Sequence, residues 1–190
     1  MEIERKFTAG AAESLPFSLD RYPHHEIEQG YLCTSPVVRV RREDDRYYMT
    51  YKGGGLMARE EYNLPLTEES YVHLRAKTDG NVITKKRFLI PVKDFGGVWA
   101  DSPLTVELDV FGGVFAGLLL AEVEFSSVEE AESFPMLPWF REDVTRDVRY
   151  HNSFMSRVAP EKVRILDGGF SSAGEFPASP GSAAGTPGRS

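Results

Sequence analysis

The chain is short of cysteine, of long apolar runs and of positive charge. Cys33 is its one cysteine in 190 residues. No internal disulfide can form, and a reducing cytoplasm is the expected compartment. No stretch approaches the roughly 20 consecutive apolar residues that cross a bilayer as a helix. No charged-then-apolar leader precedes Glu2-Ile3-Glu4, so neither membrane nor secretion is expected. Lys plus Arg number 22 against 29 Asp plus Glu, a formal net charge of −7, and the pI is near 5.2. An average surface of that sign repels phosphates, which argues against nucleic acid or anionic membrane on the outer face. What is present is 41% apolar and 27% charged residues, enough for one domain with a sizeable core.

That domain is expected over residues 1–158, followed by a disordered tail over 159–190 that is rich in Gly, Ser, Ala and Pro. Such a segment buries too little apolar area to offset its ordering entropy. Before the tail the pattern is mainly β. Val38-Arg39-Val40-Arg41, Tyr47 to Lys52, Val106 to Val110 and Ala121 to Phe125 all alternate with period 2, bounded by Gly, Pro or Asp clusters. Glu43-Asp44-Asp45 predicts a hairpin turn, Gly53-Gly54-Gly55 a flexible connection, and about eight strands precede residue 126. Three helices are expected: Thr67 to Ala76, Val128 to Phe134 capped by Ser127, and a longer amphipathic one from Glu142 to about Val158.

Residues two apart share a strand face. On this criterion Lys6, Arg39, Arg41, Lys52, Arg59, Lys85 and Arg87 lie on the same faces as Glu2, Glu4, Glu61, Glu107, Asp109, Glu122 and Glu124. The opposite faces carry Ile3, Phe7, Val40, Phe88, Leu108 and Val123. Two geometries fit. A sandwich would turn the charges to water; a closed barrel would turn them into its lumen. The repeated pairing of like charges favours the barrel, because each pair needs a counter-charge. Paired carboxylates suit Mg²⁺ or Mn²⁺. Clustered Arg and Lys suit a polyphosphate. Together they are parts for phosphoryl chemistry.

In order along the chain stand Glu2-Ile3-Glu4-Arg5-Lys6, Gln29-Gly30-Tyr31-Leu32, Val38 to Arg41, Met49 to Lys52, Arg59 to Tyr62, Lys85-Lys86-Arg87, Glu107 to Phe111, Glu122 to Phe125, Pro138-Trp139-Phe140 and Asp143 to Tyr150. This set resembles the CYTH superfamily, also called triphosphate tunnel metalloenzymes, over residues 1 to about 157. The frame is most similar to short bacterial inorganic tripolyphosphatases. The resemblance implies a mainly β (α+β) fold, an eight-stranded antiparallel closed barrel with about three peripheral helices. It implies metal-dependent hydrolysis of a small triphosphate, best inorganic tripolyphosphate to diphosphate and phosphate. By position, Glu2, Glu4, Asp109, Glu122 and Glu124 would hold one or two Mg²⁺ or Mn²⁺ ions. Lys6, Arg39, Arg41, Lys52, Arg59, Lys85 and Arg87 would hold phosphates. Lys85 and Tyr31 match positions that help activate the attacking water, and Glu61, Glu107, Asp143, Arg149 and Tyr150 are supporting positions. Lys85, crowded by Arg87, reads either as a general base or as a phosphate ligand.

The chain departs from the pattern at Asn63, where Glu is frequent, at Asp143 for Glu, and at Val148 for Lys. The same superfamily contains thiamine triphosphatases, RNA triphosphatases and class IV adenylate cyclases, and these activities are the alternatives, with nucleoside triphosphates among the possible substrates. A non-catalytic polyphosphate- or nucleotide-binding module is the other reading, which the paired carboxylates disfavour. His24-His25 and His151 read as surface residues, Cys33 as a small buried one, and Trp99 and Trp139 as packing residues. The pattern assigns no oligomeric state.

Overall fold

The computed structural model describes residues 2–53, 58–166 and 169–172. Its strands are β1 (Glu2–Thr8), β2 (His24–Thr34), β3 (Val37–Glu43), β4 (Arg46–Lys52), β5 (Ala58–Arg59), β6 (Glu61–Pro65), β7 (Asp79–Pro91), β8 (Thr105–Phe111) and β9 (Leu119–Glu124). All nine form one sheet in the order β5-β1-β9-β8-β7-β2-β3-β4-β6. Every neighbouring pair is antiparallel. β5 and β6 are separated by Glu60 alone, yet they serve opposite edges. β5 pairs with β1, placing Glu2 opposite Arg59, while β6 pairs with β4, placing Lys52 opposite Glu61. One interrupted strand thus joins the two edges, and the sheet closes as an eight-stranded barrel when β5 and β6 are counted together. Asp44, at φ 53, makes the expected turn between β3 and β4. The Gly53-Gly54-Gly55 connection runs into residues 54–57, outside the described residues.

The alternating pattern separates inside from outside. Ile3, Phe7, Phe88, Ile90, Val106, Leu108, Ala121 and Val123 face outward into a core completed by Ala131, Phe134, Leu137, Trp139 and Phe140. Two helices form where expected. α1 (Glu68–Arg75) begins at Thr67, whose hydroxyl accepts from Ser70 N at 3.2 Å, and α2 (Val128–Ser133) begins at Ser127, which accepts from Glu130 N at 3.1 Å. Each cap satisfies an otherwise unpaired amide of a helix's first turn. Among the described residues no helix is long and apolar enough to cross a membrane.

The long helix expected from Glu142 to Val158 does not form. β5 covers only the first residues of β1, so the later edge of β1 has backbone groups to satisfy. Residues 141–144 satisfy them: Arg141 N donates to Thr8 O at 2.9 Å, Thr8 N to Glu142 O at 3.0 Å, and Val144 N to Lys6 O at 2.9 Å. Beyond this edge pairing only a 3-10 turn at Val148–Tyr150 and the short α3 (Asn152–Met155) remain.

The expected tail is also partly ordered. β10 (Val163–Leu166) pairs with β11 (Gly169–Ser172), and Phe170 is 3% exposed. Its amide donates to Tyr150 Oη at 3.1 Å. One aromatic in a Gly- and Ser-rich stretch provides the burial that composition did not suggest. Residues 173–190 of that tail lie outside the described residues. Cys33, expected to be buried, is exposed.

The barrel is not charged along its whole length. Inward positions one repeat beyond the charges are apolar: Leu120 follows the face of Glu124 and Glu122, Phe111 that of Glu107 and Asp109, Ile83 that of Arg87 and Lys85. These residues and Tyr31 pack with Phe115, Val144, Tyr150, Met155 and Phe170 in a second core. One end of the lumen is therefore plugged. The plug is anchored where Gly80, at φ +66, passes so close to Ser156 that an added Cβ would lie 2.1 Å from its carbonyl oxygen. Asn81 N also donates to Ser156 O at 2.7 Å. A side chain at Gly80 meets both an unfavourable φ and a fixed backbone atom. Gly80→Ala is expected to cost about 2 kcal/mol or more of stability, read from urea unfolding; an unchanged midpoint would contradict this close approach.

Candidate active site

The charged half of the lumen encloses a cavity of about 270 Å³. Register builds its first wall. Glu4 lies opposite Glu124, and Lys6 opposite Glu122, across β1 and β9. Lys6 Nζ sits 2.7 Å from Glu122 Oε1. On β7, Arg87 donates to both oxygens of Asp109, each at 2.7 Å, and also bonds Glu107 and Glu122. Lys85 bonds Asp109 from behind, with side-chain exposures of 0% and 1% for the pair.

The facing wall comes from β2, β3, β4 and β6. Arg41 donates to Gln29 Oε1 from Nη2 at 2.7 Å and from Nε at 3.0 Å, and Gln29 Nε2 donates to Tyr31 Oη at 3.1 Å. Lys52 Nζ lies 2.5 Å from Glu61 Oε2. Asn63 donates to the other Glu61 oxygen at 2.8 Å and accepts from Thr50 Oγ1 at 2.6 Å. Arg39, 6% exposed, has a buried Nε without a hydrogen-bond partner among the described residues.

These surroundings set the charges apart. Burial alone would raise the Glu122 carboxyl, but Lys6 and Arg87 outweigh it and hold it well below the usual range. Burial of Glu107, reinforced by Glu122 and Asp109 and only partly offset by Arg87, raises its pKa. Burial opposes the charge on Arg87, yet Asp109 and Glu122 raise its pKa. Lys85 is lowered to about 8 by burial and then by Arg87, with Asp109 a partial offset. Arg39 is lowered by burial and then by Arg41. Burial also works against the Glu61 carboxylate, but Lys52 and Asn63 bring its pKa down to about 2.

Of the residues expected at the site, Glu4, Lys6, Tyr31, Arg39, Arg41, Lys52, Glu61, Arg87, Glu107, Glu122 and Glu124 line the cavity. Lys85 and Asp109 do not; they are packed behind Arg87. Asp109 was expected as a metal carboxylate, and its oxygens are instead taken by Lys85 and Arg87. Three supporting positions lie elsewhere. Asp143 pairs with Arg5 on the outer face at 2.6 Å, Arg149 pairs with Asp147, and Tyr150 is in the plug. The backbones of Glu2 and Arg59 face each other in register; their side chains are outside the described set.

His25, Glu43, His151, Asn152 and Ser153 line the cavity without having been expected there. His25 shares strand parity with Gln29 and Tyr31, a signal the sequence carried. Its Nδ1 lies 2.6 Å from Asp44 Oδ2. Residues 151–153 arrive from the plug, and no periodicity points to them.

Glu4, Glu122 and Glu124 bring oxygen donors to one wall, which is the donor chemistry a hard divalent cation requires. Among the described residues no three His, Cys, Asp or Glu side chains converge as a ready metal cluster, and Glu122 is engaged by Lys6 and Arg87. The donor set fits such a cation once those ion pairs rearrange.

Residues 1–132 match the CYTH domain. The chain belongs to the CYTH family. An inorganic triphosphatase from Nitrosomonas europaea is 35% identical to this CYTH protein over 167 residues, covering 84% of this chain and 99% of the relative. A crystal structure of an inorganic triphosphatase superposes with a TM-score of 0.59 at 33% identity, covering 82% of this chain and 94% of that one. A second crystal structure of that same protein, described there as hypothetical, has the same TM-score of 0.59 at 34% identity, with coverage of 82% and 97%.

Glu61 gives this CYTH barrel an acid-sensitive contact. Its folded pKa of about 2 lies below the ordinary 4.5, so the Lys52 pair stabilises the fold above 4.5 and is lost as pH falls towards 2. The unfolding midpoint is expected to drop through this window in the native chain and to drop less in Glu61→Gln. Superimposable acid profiles would contradict the contact.

Proposed function

We propose that the protein hydrolyses a linear triphosphate, best matched by inorganic tripolyphosphate, to diphosphate and phosphate. The observation that carries this reading is one cavity lined from both walls by Lys6, Arg39, Arg41, Lys52 and Arg87 together with Glu4, Glu122 and Glu124. The similarity to an inorganic triphosphatase supports it. Arg presents planar, bidentate donors to phosphate and Lys a point charge. The carboxylates favour an enzyme over a binding module, because alone they repel the anion. Mg²⁺ or Mn²⁺, one or two ions held by Glu4, Glu122 and Glu124, would supply neutralisation of phosphate charge and a more acidic bound water. The lone cysteine favours a reducing, cytoplasmic setting.

The chain's own groups bind and orient. Lys6 and Arg87, which here neutralise Glu122, are the donors that phosphoryl oxygens would take. Arg41 is braced by Gln29, and Lys52 by Glu61, so both ammonium and guanidinium are held before substrate arrives. Tyr31 lines the cavity, and its hydroxyl accepts from Gln29 Nε2. Lys85 is paired with Asp109 and does not line the cavity; its role in this reading is to hold Asp109 and through it Arg87, in place of the general-base role.

Glu4→Gln and Glu122→Gln are each expected to cut Mg²⁺- or Mn²⁺-dependent phosphate release from tripolyphosphate by about 100-fold, with circular dichroism showing a folded barrel. Full activity in both would sink the proposal. Thiamine triphosphate and ATP belong in the same panel, with EDTA as control; a cyclic nucleotide made from ATP would establish a cyclase instead. Lys85→Met is expected to lose about tenfold in turnover, and Lys85→Arg to retain most of it.

A further inference from the structure

The strands do not supply the end wall of the cavity. His151, Asn152 and Ser153, from the plug segment, complete the lining that Tyr31 and Arg39 share. Tyr31 also belongs to the plug, which marks this as the closed end. Two buried polar atoms here have no hydrogen-bond partner among the described residues, Asn152 Oδ1 and Arg39 Nε. Buried polar groups are ordinarily satisfied.

This wall is held on both sides. Upstream, Tyr150 Oη accepts from Phe170 N at 3.1 Å. Downstream, Asn81 Nδ2 donates to Val158 O at 2.6 Å, and Asn81 N donates to Ser156 O at 2.7 Å. These contacts fix the backbone on either side of Asn152. A partner for its side chain can enter from the cavity that it lines.

The chemistry selects that partner. Arg39 Nε–H donates. A carboxamide offers an acceptor and a donor, exchanged by a half-turn of the side chain. A terminal phosphoryl group has three non-bridging oxygens and, when singly protonated, one hydroxyl donor, so it can meet both residues. An internal phosphoryl group has two such oxygens and two bridging links, and the second link would have to pass through Leu120, Phe111 and Ile83. We propose that Asn152 is a specificity-determining residue which, with Arg39, binds the unsubstituted terminal phosphoryl group of a chain entering end-on. This rests on the triphosphate reading of the same cavity. It selects linear phosphates with a free end over cyclic or doubly substituted ones.

The test uses the full chain and two probes, linear tripolyphosphate and cyclic trimetaphosphate, which has no terminal phosphoryl group. Binding is measured by titration calorimetry with EDTA, and KM and kcat with Mg²⁺. Asn152→Leu is expected to weaken tripolyphosphate binding or raise its KM by about tenfold, with kcat changed less. Trimetaphosphate is expected to bind weakly to the native chain and to be unaffected by the substitution. Asn152→Asp, which keeps the shape and adds a negative charge, is expected to weaken tripolyphosphate further, and it decides the matter should Asn152→Leu fail to fold. Native-like tripolyphosphate affinity in Asn152→Asp, or an equal loss for both probes, would overturn the subsite. Binding without phosphate release in the native chain would overturn the hydrolytic proposal alone. Tripolyphosphate binding under neither condition would overturn both.

Discussion

Arg87 meets three carboxylates inside the barrel, Glu107 and Asp109 from β8 and Glu122 from β9. Burying that many charges is expensive unless each finds an opposite at short range. The wall answers with alternating sign across neighbouring strands: Lys6 against Glu122, Arg87 against Asp109, Lys52 against Glu61. Register and charge are therefore one constraint. A slip by one residue on any of these strands would send its charges into the outer core and its Val, Leu or Phe side chains into the lumen. The pairing that closes the barrel is also the pairing that makes its interior tolerable.

The same constraint explains why the interior is useful. A set of ion pairs already balanced can exchange partners. An entering anion would take cations from carboxylates, and the carboxylates would then be free for a metal. Glu122 and Glu107 share the cavity but are pushed in opposite directions, one below and one above the ordinary carboxylate range. Glu122 has two close cations, whereas Glu107 is buried with one and faces two other acids. The acidic average of the chain, −7, thus says little about the cavity, where cations and acids meet nearly one for one.

Polarity along the barrel axis gives that interior a direction. Leu120, Phe111 and Ile83 continue the charged faces with apolar side chains, and the C-terminal segment packs on them. A lumen charged throughout would need counter-ions or water along its length. Filling one end with Phe, Leu and Met removes that need and leaves one blind, charged compartment. The segment that builds the plug also sets Asn152 against the cavity, so packing at Phe170 and recognition at the end wall are mechanically joined.

Alternation in the sequence determined which residues share a face, because period 2 is a property of a strand whatever it pairs with. It placed ten of the site residues on the cavity side, while Tyr31 came from the resemblance and the two capped helices from their Thr67 and Ser127 starts. It did not determine that Lys85 and Asp109 stand behind Arg87, since depth along an inward face depends on neighbouring strands. It misread Glu142 to Val158 as a helix, because the demand of the β1 edge for partners is invisible in the segment that meets it. It also left Phe170 in a tail, because one aromatic among Gly and Ser has value only where a hydrophobic surface waits for it. Whether the charges turned outward or inward was decided by closure alone: two residues of β5 on one edge and β6 on the other make the difference between a solvated face and a lumen.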